Sequence, residues 1–156
     1  MRNRSLKSVR KHQVGAVLAE MALVTPILLF MMLATAEVTR MFIDHNTLTK
    51  SVRNGVRHLS SNALFGTTGT VFLSSALQTE TRNLVVFGNA AGVGPPILPG
   101  LAATDISIID AGSTNVTVTA SYGISGMLGA VLRSFHGGAD IPMVFTLEAS
   151  ATMRSL

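Results

Sequence analysis

Few side chains in this sequence could carry out or undergo chemistry, and their spacing narrows that chemistry quickly. The histidines are His12, His45, His58 and His136, and none falls in an H-E-x-x-H or comparable ligand spacing. Cysteine is absent, which excludes disulfides, thiolate–zinc sites and thiol catalysis. Asp105 and Asp110 lie five apart on an expected strand, so they face opposite sides of it and do not form a carboxylate pair. Gly92-Val93-Gly94 leads into Pro95 and Pro96 rather than a phosphate-binding helix, and Gly123-Ile124-Ser125-Gly126 lacks the nucleophile-elbow spacing. These patterns point away from an enzyme and offer no metal or cofactor site. What remains is Gly15-Ala16-Val17-Leu18-Ala19-Glu20. A glycine closes a basic tail there, and a carboxylate follows inside an apolar run. A residue without a Cβ lets the backbone enter a tight protease site. The chain reads as the substrate of an enzyme.

The N-terminal segment must present these residues. Lys and Arg number 12 against 8 Asp and Glu in 156 residues, a formal +4. Five of those cations are Arg2, Arg4, Lys7, Arg10 and Lys11, with no acid among them. The basic balance thus belongs to a tail and not to a nucleic-acid-binding surface; it has the form of a topogenic signal. Between Lys11 and Glu37, Glu20 is the one charged side chain in 25 residues. As a helix, Ala16–Ala36 rises ~32 Å, enough for a ~30 Å hydrocarbon core. The cations before it place the N-terminus in the cytoplasm and the body beyond the membrane. Two other readings use the same residues. Ala34-Thr35-Ala36 resembles a signal-peptidase site that would release a soluble binding domain. Against that, the apolar stretch exceeds the usual ~7–15 residues and carries Glu20. An uncut N-terminus would instead give a single-pass envelope scaffold.

The basic leader, Gly15 and Glu20 together resemble a type IV prepilin processing site, cut between Gly15 and Ala16, with the apolar helix kept as anchor and assembly stem. Such a cut would leave an ammonium on Ala16, one helical turn from Glu20 and on the same face. An unpaired acid costs ~2.5–3.5 kcal/mol at a bilayer centre and less near its edge. A first-turn carboxylate favoured by the helix dipole is the simpler account of Glu20. The similarity continues through Met21-Ala-Leu-Val-Thr-Pro26-Ile-Leu-Leu, Glu37-Val-Thr-Arg40 and Val52-Arg53-Asn-Gly55-Val-Arg57. It extends to Val86-Phe87-Gly88-Asn89, Leu98-Pro99-Gly100-Leu101 and Ala151-Thr152-Met153-Arg154. Together these resemble the TadE-like family of the tight-adherence (Tad, or Flp) pilus system, with Met21 where the family usually has Phe. The resemblance implies a minor pilin or pseudopilin. It would be cut by an inner-membrane prepilin peptidase and assembled with other pilins on a membrane platform.

The remainder is expected to form an α+β domain. Residues 1–15 read as a leader, 16–36 as the membrane helix and 37–156 as the extracytoplasmic part. Pro26 lies mid-span and is expected to kink the helix. Beyond the membrane, Val38, Phe42, His45, Leu48, Val52, Val56 and Leu59 recur every three or four residues, predicting a helix to about Ser60 whose stripe, His45 included, packs on the domain. Lys50, Arg53 and Arg57 share another face: a solvated surface, or a docking face for an acidic partner. Gly66–Gly69 should break the chain before a second helix over Val71–Val85. The glycines and prolines of Asn89–Ala103 mark a loop. Asp105–Asp110 and Asn115–Tyr122 read as strands around a short turn. Ile124–Phe135 reads as a short helix closed by Gly137-Gly138, and Ile141–Met153 as a third strand with clean period-two alternation. The expected fold is a long N-terminal helix, a second helix and a three-stranded antiparallel sheet.

Cleavage at Gly15 would invert the charge. Removing Met1–Gly15 leaves seven cations against eight acids, a formal −1 in place of +4. Isoelectric focusing of the membrane-extracted protein should show maturation as a shift toward acid; a mature form that still focuses as strongly basic retains the leader.

Overall fold

The computed structural model of the chain describes residues 5–64, 70–126, 131–132, 137, 139, 141–142 and 144–155. Side chains are described from Gly15 onward, those of 131–132 and 141–142 excepted. The chain divides into two compact units at Thr39/Arg40. Helix α1 spans Ser5–Asn62, beginning within the expected leader and ending two residues beyond the expected Ser60.

The first unit consists of α1 as far as Thr39. Val17, Leu18, Met21, Leu23, Ile27, Phe30 and Met32 are among its exposed apolar side chains. Water is a poor solvent for such a surface, and a helix with no polar face suits lipid or the apolar flanks of other helices. Two of its hydroxyls are satisfied locally: Thr35 Oγ1 donates to Met31 O at 2.9 Å and Thr39 Oγ1 to Thr35 O at 2.8 Å. By length and composition, α1 contains a stretch able to cross a membrane.

The second unit contains the rest of α1, then α2 (Ser75–Phe87), a 3₁₀ turn (Ala103–Asp105), and strands β1 (Ile106–Gly112), β2 (Asn115–Ser125), β3 (Val131–Leu132), β4 (Ile141–Pro142) and β5 (Val144–Arg154). β1, β2 and β5 form an antiparallel sheet in that order, with β2 central. β2 and β5 pair without a break from Asn115↔Arg154 to Ser125↔Val144. β1 is paired from Ile106↔Ala120 and carries an irregularity between Asp110 and Gly112. The alternation expected in β2 is present: Val116, Val118, Ala120, Tyr122 and Ile124 are buried. They form one core with Leu48, Val52, Val56 and Leu59 of α1 and with Leu77, Val85 and Val86 of α2. The opposite sheet face carries a hydroxyl ladder, with Thr117 and Thr152 at 2.8 Å and Thr119 and Ser150 at 3.0 Å.

Local chemistry sets the boundaries of α2. Ser74 caps its N-terminus, Oγ accepting from Leu77 N at 3.2 Å. Gly88 ends it at φ +75, donating its N–H to Leu84 O at 3.0 Å, a left-handed position that suits glycine. The helix therefore starts later than Val71, which instead forms an isolated bridge with Leu64. The loop after α2 is built around Asn89. Its Oδ1 accepts from Val93 N at 3.1 Å and its Nδ2 donates to Val93 O at 2.8 Å. Leu98 and Leu101 are buried beneath this loop's second half.

Several expectations are corrected. Ile124 is a strand residue and not the start of a helix, because it continues the buried alternation of β2. Val131–Leu132 is likewise strand, paired with Ile141–Pro142. The expected third strand is thus two strands, β4 and β5, with different partners. Asp105 belongs to the 3₁₀ turn, where its carboxylate accepts from Ala102 N at 2.9 Å. The apolar stripe of α1 is buried only from Leu48; Val38, Phe42 and His45 are exposed. The expected Gly66–Gly69 break and Met127, Leu128, Phe135, Gly138 and Met143 lie outside the described residues.

Gly55 is where α1 and α2 approach most demandingly. A Cβ there would overlap Val85 Cγ2 and stand 3.6 Å from Thr81 Cγ2. Gly55→Ala gains up to ~1 kcal/mol of helix propensity but overpacks the contact, which costs ~1–3 kcal/mol. Thermal melting of the full chain in detergent should show net destabilisation. In a Val85→Ala background the same substitution should be neutral or stabilising. A higher melting temperature for Gly55→Ala alone would refute the close approach.

Candidate functional site

All the residues singled out for processing and assembly lie on α1. Gly15, Ala16 and Glu20 are exposed and helical. A Cβ added at Gly15 would meet nothing within 4 Å. Glycine is therefore not required there by packing or by backbone conformation, in contrast to Gly55. Its side-chain absence matters, if anywhere, to something that binds the segment from outside. Glu20 is four residues from Ala16, so the two stand one turn apart on one helix face. Pro26 lies inside α1, which remains α-helical on both sides of it. Proline supplies no N–H for the carbonyl one turn back.

The basic face is a separate feature of the second unit. Lys50, Arg53 and Arg57 are all exposed. The ion pair found among the described residues lies elsewhere, from Arg40 Nε to Asp44 Oδ2 at 3.8 Å. The three cations stand on the side of α1 opposite Leu48, Val52 and Val56, because the core takes the other face of the same turns. Val52-Arg53-Asn54-Gly55-Val56-Arg57 thus has a physical division of labour. Val52 and Val56 are buried, Gly55 admits α2, and Arg53 and Arg57 are left to solvent or a partner.

Sequence reasoning did not single out the cluster around Tyr122. Its hydroxyl donates to Pro99 O at 2.9 Å, tying the loop after α2 to the sheet. Burial raises the Tyr122 pKa above its ordinary value; the Asp44 carboxylate raises it further, while the Arg40 guanidinium opposes both. Asp44 is largely buried, and Met41 in the turn before it packs against the core. The single Tyr in a chain without Trp was the available signal, because a buried phenol needs a hydrogen-bond acceptor. Among the described residues, no group of three or more acidic or histidine side chains converges as a metal site would require.

Residues 15–57 match the family model of TadE-like proteins. The matched segment begins at Gly15, contains Glu20, Pro26 and the Arg40–Asp44 pair, and ends at Arg57. No curated protein and no solved structure matches the chain. The match and the long apolar helix together indicate a membrane-anchored, single-pass protein.

If Gly15 is read by a protease and not by the fold, substitution separates the two. Gly15→Val should leave the helical content measured by circular dichroism unchanged, because the position is open. The leader should nevertheless stay attached, as judged by mass. Normal processing of the variant would remove Gly15 from the recognition role.

Proposed function

We propose that the chain is a minor pilin or pseudopilin of a Tad (Flp) pilus, matured by prepilin peptidase cleavage between Gly15 and Ala16. The observation that carries this reading is the coincidence of the TadE-like match with a helix that is exposed throughout Ala16–Ala36 and carries no charge there except Glu20. The leader's cations hold the N-terminus in the cytoplasm, with the second unit on the far side of the inner membrane. After cleavage, the Ala16 ammonium and the Glu20 carboxylate, on the same subunit or a neighbouring one, neutralise each other where isolated charges are costly. The partners are then other Tad pilins and pseudopilins, the prepilin peptidase, the inner-membrane assembly platform and the lipid bilayer itself. Lys50, Arg53 and Arg57 offer a docking face for an acidic surface of one of them.

Release by signal peptidase after Ala36 is less well supported. Residues 34–36 lie within uninterrupted α-helix, and the Thr35 and Thr39 hydroxyls bond to carbonyls one turn back. Helix also runs through Gly15 and Ala16, so what weighs against this reading is the apolar run, longer than the usual ~7–15 residues and interrupted by Glu20.

N-terminal sequencing of the mature protein distinguishes the readings: Ala16 for the pilin, Glu37 for a released domain, Met1 for an uncut scaffold. Glu20 then tests the assembly step. Glu20→Gln preserves shape but removes the charge, so it should be processed normally yet accumulate in the inner membrane and not in pili. Glu20→Asp keeps the charge on a shorter arm and should be intermediate. Full incorporation of the Gln variant would reduce Glu20 to a tolerated carboxylate within α1.

A further inference from the structure

The two edges of the sheet are built differently. Strand β1 is the shorter, carries the irregularity between Asp110 and Gly112, and presents a charge there. Natural sheets use such devices to keep an edge from pairing with another chain. Strand β5, at the other edge, has none of them. It runs for 11 residues, pairs with β2 without a break, and contains neither proline nor lysine. Among the described residues, no strand pairs with its outer edge. Its two charges, Glu148 and Arg154, both lie on the solvent face, opposite Ser121 and Asn115 of β2. Its core-side residues Leu147, Ala151 and Met153 pack against the core yet are only partly buried. An unprotected edge beside a half-covered apolar face is a surface suited to one more strand.

We infer that this strand is β5 of a second copy, paired antiparallel about a two-fold axis at Ala151. Two conditions select the register. Directly opposite residues share a face, so the pairing must keep core face beside core face; a slip of one residue would set it beside the solvent face. Glu148 and Arg154 are the charges on the strand, and Ala151 is midway between them. Centred there, each Glu148 stands opposite the partner's Arg154, a favourable cross-strand pair made twice. Centring on Glu148 or on Arg154 would instead oppose like charges. The same register sets Ser150 opposite the partner's Thr152. The Thr119–Ser150 and Thr117–Thr152 contacts then join into runs of four hydroxyls across the seam. On the core side, Ala149 meets the partner's Met153 and Ala151 meets its own equivalent. The contact is self-complementary and closed. It yields a six-stranded sheet, and both of its remaining edges are the protected β1.

The chain has no cysteine, so a single one reports unambiguously. The full chain would carry Ala151→Cys, on the axis, or Ser107→Cys, on the exposed edge strand β1. Each would be reconstituted in phosphatidylethanolamine/phosphatidylglycerol vesicles, because both anchors must enter one bilayer. Opposed Cβ atoms in such a pair stand ~4.5–5.5 Å apart, within reach of a short bis-thiosulfonate reagent. Position 151 should crosslink to a dimer several-fold faster than 107. In the Ala151→Cys background, Glu148→Arg or Arg154→Glu alone should slow the reaction several-fold, and the two together should restore it. Circular dichroism of each variant separates a lost contact from a lost fold. Equal rates at 151 and 107, crosslinking in detergent but not in vesicles, or a double variant no faster than the single ones would each overturn the inference. Crosslinking of 151 to a different protein in native membranes, with no dimer of the chain, would give the edge to another partner and overturn it too. The pairing does not depend on cleavage at Gly15, so its failure leaves the pilin reading standing.

Discussion

One constraint governs the rest of this structure: a single helix has to satisfy two different surroundings along its length. Between Ala16 and Ala36 α1 carries one charged side chain, Glu20, and is otherwise almost wholly apolar around its circumference, and the backbone bonds internally, as a chain must where water is absent. From Leu48 the same helix is amphipathic, and its apolar face becomes one wall of a conventional core. The transition occupies Glu37–His45, where charged, aromatic and hydroxyl side chains alternate and the Arg40–Asp44 pair sits. The sheet, α2 and the intervening loop can all be understood as what is needed to cover Leu48, Val52, Val56 and Leu59.

The elements with a strong period were legible in the sequence. The continuous apolar run gave the anchor, the spacing of Leu48 to Leu59 gave the amphipathic half, and alternation gave β2 and most of β5. The failures have physical causes. Ile124 to Phe135 satisfies a helical spacing on paper, but Ile124 is the last buried position of a strand and cannot serve both periods. Val38, Phe42 and His45 continue the stripe geometrically, yet periodicity shows only which face a residue occupies, not where the covering layer ends. Alternation running from Ile141 to Met153 concealed the division into β4 and β5, because a change of partner leaves no mark on the pattern.

The candidate site was legible to a different degree. Gly15, Glu20 and Pro26 stood out because each is costly or unusual where it lies. The structure adds that the chain's glycines serve opposite ends: Gly15 stands in open space, whereas Gly55 is pressed against Val85 and Thr81. A sequence pattern containing both cannot separate the glycine required by the fold from the one the fold does not require. The Tyr122–Pro99 bond was invisible for a simpler reason. It joins residues 23 apart through a side chain whose partner is a backbone carbonyl, and backbone acceptors have no sequence signature.

The order of strands within the sheet has a consequence for how the protein comes into being. The central strand, β2, has one neighbour before it in the chain and the other, β5, after it. A polypeptide synthesised from its N-terminus onward has α1, β1 and β2 in hand before β5, and β1 and β2 are able to form a hairpin. Their sheet would remain unfinished until Arg154 had followed. Throughout that interval the backbone edge of β2 that faces β5 is open to any extended segment nearby. Completion of the sheet thus coincides with release of the last strand, so the finished domain itself reports that its own synthesis is over.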